Sequence, residues 1–153
     1  MENLQKSAAP ALEKLLQSNP DQLYAELGLR QKAIVNDPSQ AGLFETTATY
    51  NAAFAGPLDV LKEFGQKFFS NLSGSLYNLA CGTDQENDGD RKKLKDAFGG
   101  GTTVFATSLA AILVSSFGLA PAIAAVVAAL AVKLFFKDAY DAMCVVWKKH
   151  LPA

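Results

Sequence analysis

The side chains able to do chemistry in this sequence are few and scattered. Its single histidine, His150, sits in Lys148-Lys149-His150-Leu151-Pro152, where an imidazole reads as a cation at the end of a helix rather than as a catalyst. Cys81 and Cys144 lie far apart in apolar surroundings, without the spacing of a zinc or redox motif, and read as buried free thiols. The carboxylate pairs Asp59 with Glu63 and Asp138 with Asp141 fall at helical spacing but stand beside lysines, the pattern of a solvated face. No nucleophile, base and orienting acid share a neighbourhood, so the expectation is a protein that is not an enzyme and carries neither cofactor nor metal.

Two segments imitate ligand-binding loops. Asp84-Gln85-Glu86-Asn87-Asp88-Gly89-Asp90 opens like an EF-hand calcium loop. The closing positions, however, are Lys92 and Lys95, which put cations where a dication would sit. The expectation is that Asp88 or Asp90 caps a following helix and that Arg91, Lys92, Lys93 and Lys95 run toward its end. Gly99-Gly100-Gly101-Thr102-Thr103 lacks the lysine and the preceding strand of a phosphate-binding loop, and reads as a hinge with Thr102 or Thr103 as helix N-cap.

The elements that must position these groups are helices. The chain has 153 residues, one domain's worth, and 14 Lys plus Arg against 15 Asp plus Glu give a net charge of -1, which disfavours nucleic acid as a partner. Residues 1–56 read as short N-terminal helices: Leu4 to Gln17, a restart at Asp21 running to Gly28, a short helix from Leu29 to Val35, and a further helix from Ala41 to Ala55. Residues 57–82 form an amphipathic helix opened by Pro57, with Leu58, Leu61, Phe64, Phe68, Leu72 and Leu76 on its core face. Residues 83–100 hold the acidic and basic linker with a short helix.

Residues 102–150 read as a hydrophobic helical hairpin. Positions 97–132 contain no charge at all, a stretch of 36 residues. Gly118-Leu119-Ala120-Pro121 punctuates it as the end of one helix and the start of the next, and the second arm is expected to continue to Lys149 on one apolar face. At about 1.5 Å per residue the first arm reaches roughly 22 Å and the purely apolar part of the second roughly 18 Å, against a hydrocarbon layer near 30 Å. An alanine-rich arm suits the centre of a bundle because neighbours can approach it closely.

The flanking charges point elsewhere. Arg91, Lys92, Lys93 and Lys95 stand at one base of the hairpin and Lys133, Lys137, Lys148 and Lys149 at the other, while the turn is uncharged. This layout of polarity and punctuation is similar to the hydrophobic hairpin of colicin-type pore-forming domains and of Bcl-2-like proteins. The resemblance implies a buried helix pair that leaves its bundle for a bilayer.

The expected fold is thus all-α, a single-domain bundle of about five to seven helices around a buried Ala-rich C-terminal hairpin. The expected function is contact with itself or another protein, with insertion of the hairpin into a lipid bilayer as the alternative. Phe105, Leu109, Ile112, Leu113, Phe117, Ile123, Val126, Val127 and Leu130 are the hairpin residues that would make either contact. Phe64, Phe68, Phe135, Phe136 and Trp147 are expected to form an apolar core or a pocket for a small apolar ligand such as a lipid. The N-terminus lacks the basic-then-apolar layout of a secretory signal, so a cytoplasmic location, with possible membrane association, is expected.

Overall fold

The computed structural model describes residues 2–45 and 57–152, which form seven α-helices and one 3-10 helix. They are α1 (Glu2–Leu15), α2 (Pro20–Asn36), the 3-10 helix Pro38–Gly42, α3 (Leu58–Cys81), α4 (Asp88–Phe98), α5 (Thr102–Ser115), α6 (Pro121–Phe135) and α7 (Tyr140–Lys149). The fold is all-helical, with one core cluster drawing on every α-helix.

The uncharged hairpin is the centre of that core. Every residue of α6 from Ala122 to Val132 is buried, and so is α5 from Phe105 to Leu113. A helix apolar all round needs neighbours all round. α6 has them in α1, α2, α5, α7 and the 3-10 helix, while α1 and α4 cover α5. Gly118 turns the chain with φ +69, a conformation that costs a side-chain-bearing residue far more, and the Leu119 N–H closes the helix end on the Leu113 carbonyl at 3.0 Å.

Several boundaries differ from the sequence expectation. α2 does not stop at Gly28 but runs through it to Asn36, opened by a capping box in which Asn19 and Gln22 exchange bonds of 2.8 and 2.9 Å. Gly28 is there because α2 and α3 cross with their backbones in contact: a Cβ on Gly28 would collide with the Leu61 carbonyl, and one on Gly65 with that of Tyr24. This crossing also sets the buried face of α3, which is Leu61, Gly65, Phe69, Ser73, Leu76, Leu79 and Ala80. Phe64 and Leu58, placed on the core face by periodicity, point outward at 53% and 50% exposure, and Phe68 and Leu72 are half-buried.

The second hairpin arm does not run on to Lys149. It ends at Phe135, residues Phe136 and Ala139 adopt extended backbone, and α7 begins at Tyr140. Packing outweighs the continuous apolar pattern here. The break lets Phe136 stack on Phe98 at 4.6 Å and lets Tyr140 meet the edges of Phe98 and Phe105. The expected caps also shift: Asn87 precedes α4 and Gly101 precedes α5, neither helix has a side-chain cap, and Asp88, Asp90, Thr102 and Thr103 lie within the first turns. Pro57 is itself the N-cap of α3. Of the helix expected over Ala41 to Ala55, residues 46–56 lie outside the described residues, and Ala41 and Gly42 belong to the 3-10 helix.

Candidate functional site

The acidic loop after α3 is closed by a cation of its own chain. Arg91 is 5% exposed and reaches back from α4 with all three guanidinium nitrogens. Nε donates to the Leu79 carbonyl (3.1 Å), Nη2 to the Asn78 carbonyl (2.7 Å) and Asp84 Oδ1 (2.8 Å), and Nη1 to the Asp84 carbonyl (3.0 Å) and Asp88 Oδ1 (3.2 Å). The last carbonyls of α3, orphaned by the end of the helix, thereby find donors. Desolvation raises the pKa of Asp84, but its hydrogen bonds and the Arg91 charge outweigh this and hold the carboxyl below its usual range. Asp90 accepts from the Ser116 hydroxyl at 2.7 Å, tying α4 to the hairpin turn. Among the described residues no group of three or more His, Cys, Asp or Glu converges as a metal site would require.

The two cysteines are not free thiols. Cys81 and Cys144 form a disulfide, with Cα atoms 5.7 Å apart, that joins the last residue of α3 to the middle of α7. Their separation of 63 residues hid the pairing, because nothing local brings the two together. The junction is assembled by contacts around it: the Tyr140 hydroxyl donates to the Ala80 carbonyl at 2.6 Å, and Trp147 Nε1 donates to Ser73 Oγ at 3.2 Å.

The hairpin residues singled out from sequence are interior. Phe105, Leu109, Ile112, Leu113, Ile123, Val126, Val127 and Leu130 are all buried, and Phe117, at the turn, is half-buried. No helix of the described residues is long and apolar enough to cross a membrane. Of the five aromatic residues expected to share a pocket, only Phe135 and Trp147 are shown stacked together, at 4.9 Å. Phe136 stacks on Phe98 instead, Phe68 is half-buried, and Phe64 faces outward.

The apolar surface lies elsewhere, where α3 begins. Leu58, Val60 and Phe64 are each about half exposed, at 50%, 54% and 53%. Leu58, but neither Val60 nor Phe64, also lines a groove of about 340 Å³ that runs between α2 and α3, with Ala25, Leu29 and Leu61 as its other apolar walls. Its edges carry Asp21, Glu26, Asp59 and Lys62, with Lys62 and Asp21 paired at 3.2 Å across it. Sequence periodicity assigns Leu58, Leu61 and Phe64 to the core, of which Leu61 alone is buried, and passes over Val60. The missed signal was Gly28 and Gly65, which turn α3 by fixing where its backbone touches α2.

Comparison of the chain with known proteins finds no matching family model, no matching curated protein and no matching solved structure.

Proposed function

We propose that this chain is a non-enzymatic helical module that acts through protein contact, in the first instance with a second copy of itself, by the face where α3 begins. The observation that carries this reading is the pair Val60 and Phe64, large apolar side chains one turn apart on α3 and each about half in solvent. Apolar side chains clustered on a surface are a common mark of a contact site. A two-fold contact must be complementary to itself, which an apolar pair meeting its own copy satisfies. Sedimentation of the purified chain across the micromolar range tests it. Wild type associates reversibly, and Phe64→Lys or Val60→Lys, at exposed positions that leave the core intact, weakens association at least about tenfold. A chain that stays monomeric throughout, or one whose association ignores both substitutions, overturns the reading.

A second reading has separate support in the uncharged stretch 97–132 and the cations at both bases of the hairpin. Here the hairpin leaves the bundle and its arms, each near 21–22 Å by helix rise, enter the bilayer as a pair. Dye release from anionic vesicles that is abolished by Val126→Asp supports it. Absence of lipid association at any pH ends it.

A further inference from the structure

We propose that the Cys81–Cys144 bridge is a redox latch: its reduction by a dithiol lets α7 undock from a bundle that otherwise stays folded, and re-oxidation fastens the helix again. The latch needs neither self-association nor lipid and stands apart from both readings above.

α7 is held in place less by burial than the hairpin it packs on. Only Met143 and Trp147 of its ten residues are buried, against twelve of the fifteen in α6. It packs chiefly against α3 and α6, its first turn has no side-chain cap, and the residues flanking the break before it, Phe136 and Ala139, are extended. Alone in water a helix of this length is marginal, since about 12–15 residues are needed for stability even in favourable sequences. The bridge fastens this helix at its middle to a firm anchor. Leu76, Leu79 and Ala80, just before Cys81, are fully buried, and Arg91 holds the Asn78 and Leu79 carbonyls. Without the bond, α7 keeps two buried side chains, the ring contacts of Trp147 and Tyr140, and one hydrogen bond from each of these to α3. Local openings start from elements with so few buried contacts.

Cys81 and Cys144 are each half-buried, so the bridge lies near the surface of the bundle rather than deep inside it. In the opening step one thiolate of the dithiol attacks a bridge sulfur and forms a mixed disulfide, and the reductant's second thiol then displaces the bound cysteine. Two electrons and two protons end on Cys81 and Cys144 as thiols, and the dithiol leaves as its own internal disulfide. Closing is the same exchange run against a disulfide oxidant, which takes up the two electrons and two protons. The Tyr140 and Trp147 hydrogen bonds favour it, because they bring α7 back to α3 in the bonded register. Undocking draws Trp147, 0% exposed, off the Phe135 ring on which it stacks at 4.9 Å, and opens that part of α3 and α6 to solvent.

Trp147 is the chain's single tryptophan, so its quenching by acrylamide reports on α7 alone. The full chain is compared bridged and after treatment with dithiothreitol in the absence of denaturant. Thiols are counted by alkylation and mass, and helix content is followed by circular dichroism. The expected result is two thiols per chain, quenching at least about threefold stronger, and a loss of helix no greater than the ten residues of α7 can supply. Replacing the dithiol by oxidised glutathione restores the bridged reading, and Cys144→Ser shows the open reading without reductant. A bridge that resists dithiothreitol until denaturant is added, or that does not re-form, overturns the proposal. A reduced chain in which Trp147 stays as protected as before also overturns it, the bond then being a staple and no latch. Stronger quenching that comes only with loss of helix beyond α7 does the same, because it marks general unfolding.

Discussion

Gly65 of α3 lies directly against the main-chain carbonyl of Tyr24 in α2, with no room for even a methyl group between them. Gly65→Ala gains up to about 1 kcal/mol of helix propensity but forces the two helices apart. Overpacking of this kind costs about 1–3 kcal/mol, and the contact here is backbone, which cannot swing aside. A net loss of about 2 kcal/mol is expected in urea unfolding. Gly74→Ala, in the same helix but with open space around it, should instead raise stability by up to about 1 kcal/mol. Equal effects at the two sites would refute the backbone-contact account of this crossing.

The disulfide closes a loop of 63 residues. Chain-entropy arguments assign a loop of that length about 4 kcal/mol of stabilisation, acting on the unfolded chain. Reduction by a dithiol, or Cys144→Ser, should lower the unfolding free energy by that order while the circular dichroism of the folded state stays helical. An unchanged denaturant midpoint after verified reduction would contradict it.

Tyr140 gives the fold an alkaline limit. Burial pushes its phenol up to about 12 against an ordinary value of 10.0, with the Arg91 charge acting in the opposite direction. The folded state thus favours the protonated phenol. That contribution is whole below pH 10 and is lost as pH rises through about 12. Tyr140→Phe forfeits the bond to the Ala80 carbonyl, about 1 kcal/mol at neutral pH, and should flatten the loss of stability between pH 10 and 12. Parallel wild-type and variant curves across that interval would count against Tyr140 as the titrating group.

Arg91→Lys keeps the charge but replaces a planar fork by a single ammonium, which cannot meet two carboxylates and three carbonyls at once. A loss of about 2–3 kcal/mol is expected at neutral pH. The carboxyl of Asp84 is depressed, so its share is present above its ordinary 3.8 and disappears as pH falls through the lower folded value. The gap between wild type and Arg91→Lys should therefore narrow near pH 2, measured by urea unfolding at both pH values.

What could be read from the sequence was whatever depends on neighbours along the chain. The all-helical class, the buried hairpin, its turn at Gly118 and the end of α3 at Cys81 each follow from local pattern and punctuation. Features decided by distant partners were not legible. Gly28 looks like a helix stop because its true role is a clearance for Leu61. Phe136 looks like a continuation of α6 because its stacking partner, Phe98, lies on another helix. Cys81 and Cys144 look solitary because α7 folds back on α3 only after the break at Phe136. The candidate contact face was missed for a related reason: periodicity counts apolar residues and so favours Phe64, whereas packing chose the face with Gly65 and Ser73.

The Cys81–Cys144 bridge also determines how the molecule can be pulled apart. Once the packed helices separate, tension applied at the two termini passes through the sulfur atoms, so the polypeptide strung between them, hairpin included, is not drawn out. Stretching by optical tweezers would stop short by roughly 200 Å of the fully extended length, and that hidden slack would appear only after the bridge is cut. Whatever draws on this protein along its chain leaves its central helices looped behind the bridge rather than stretched out.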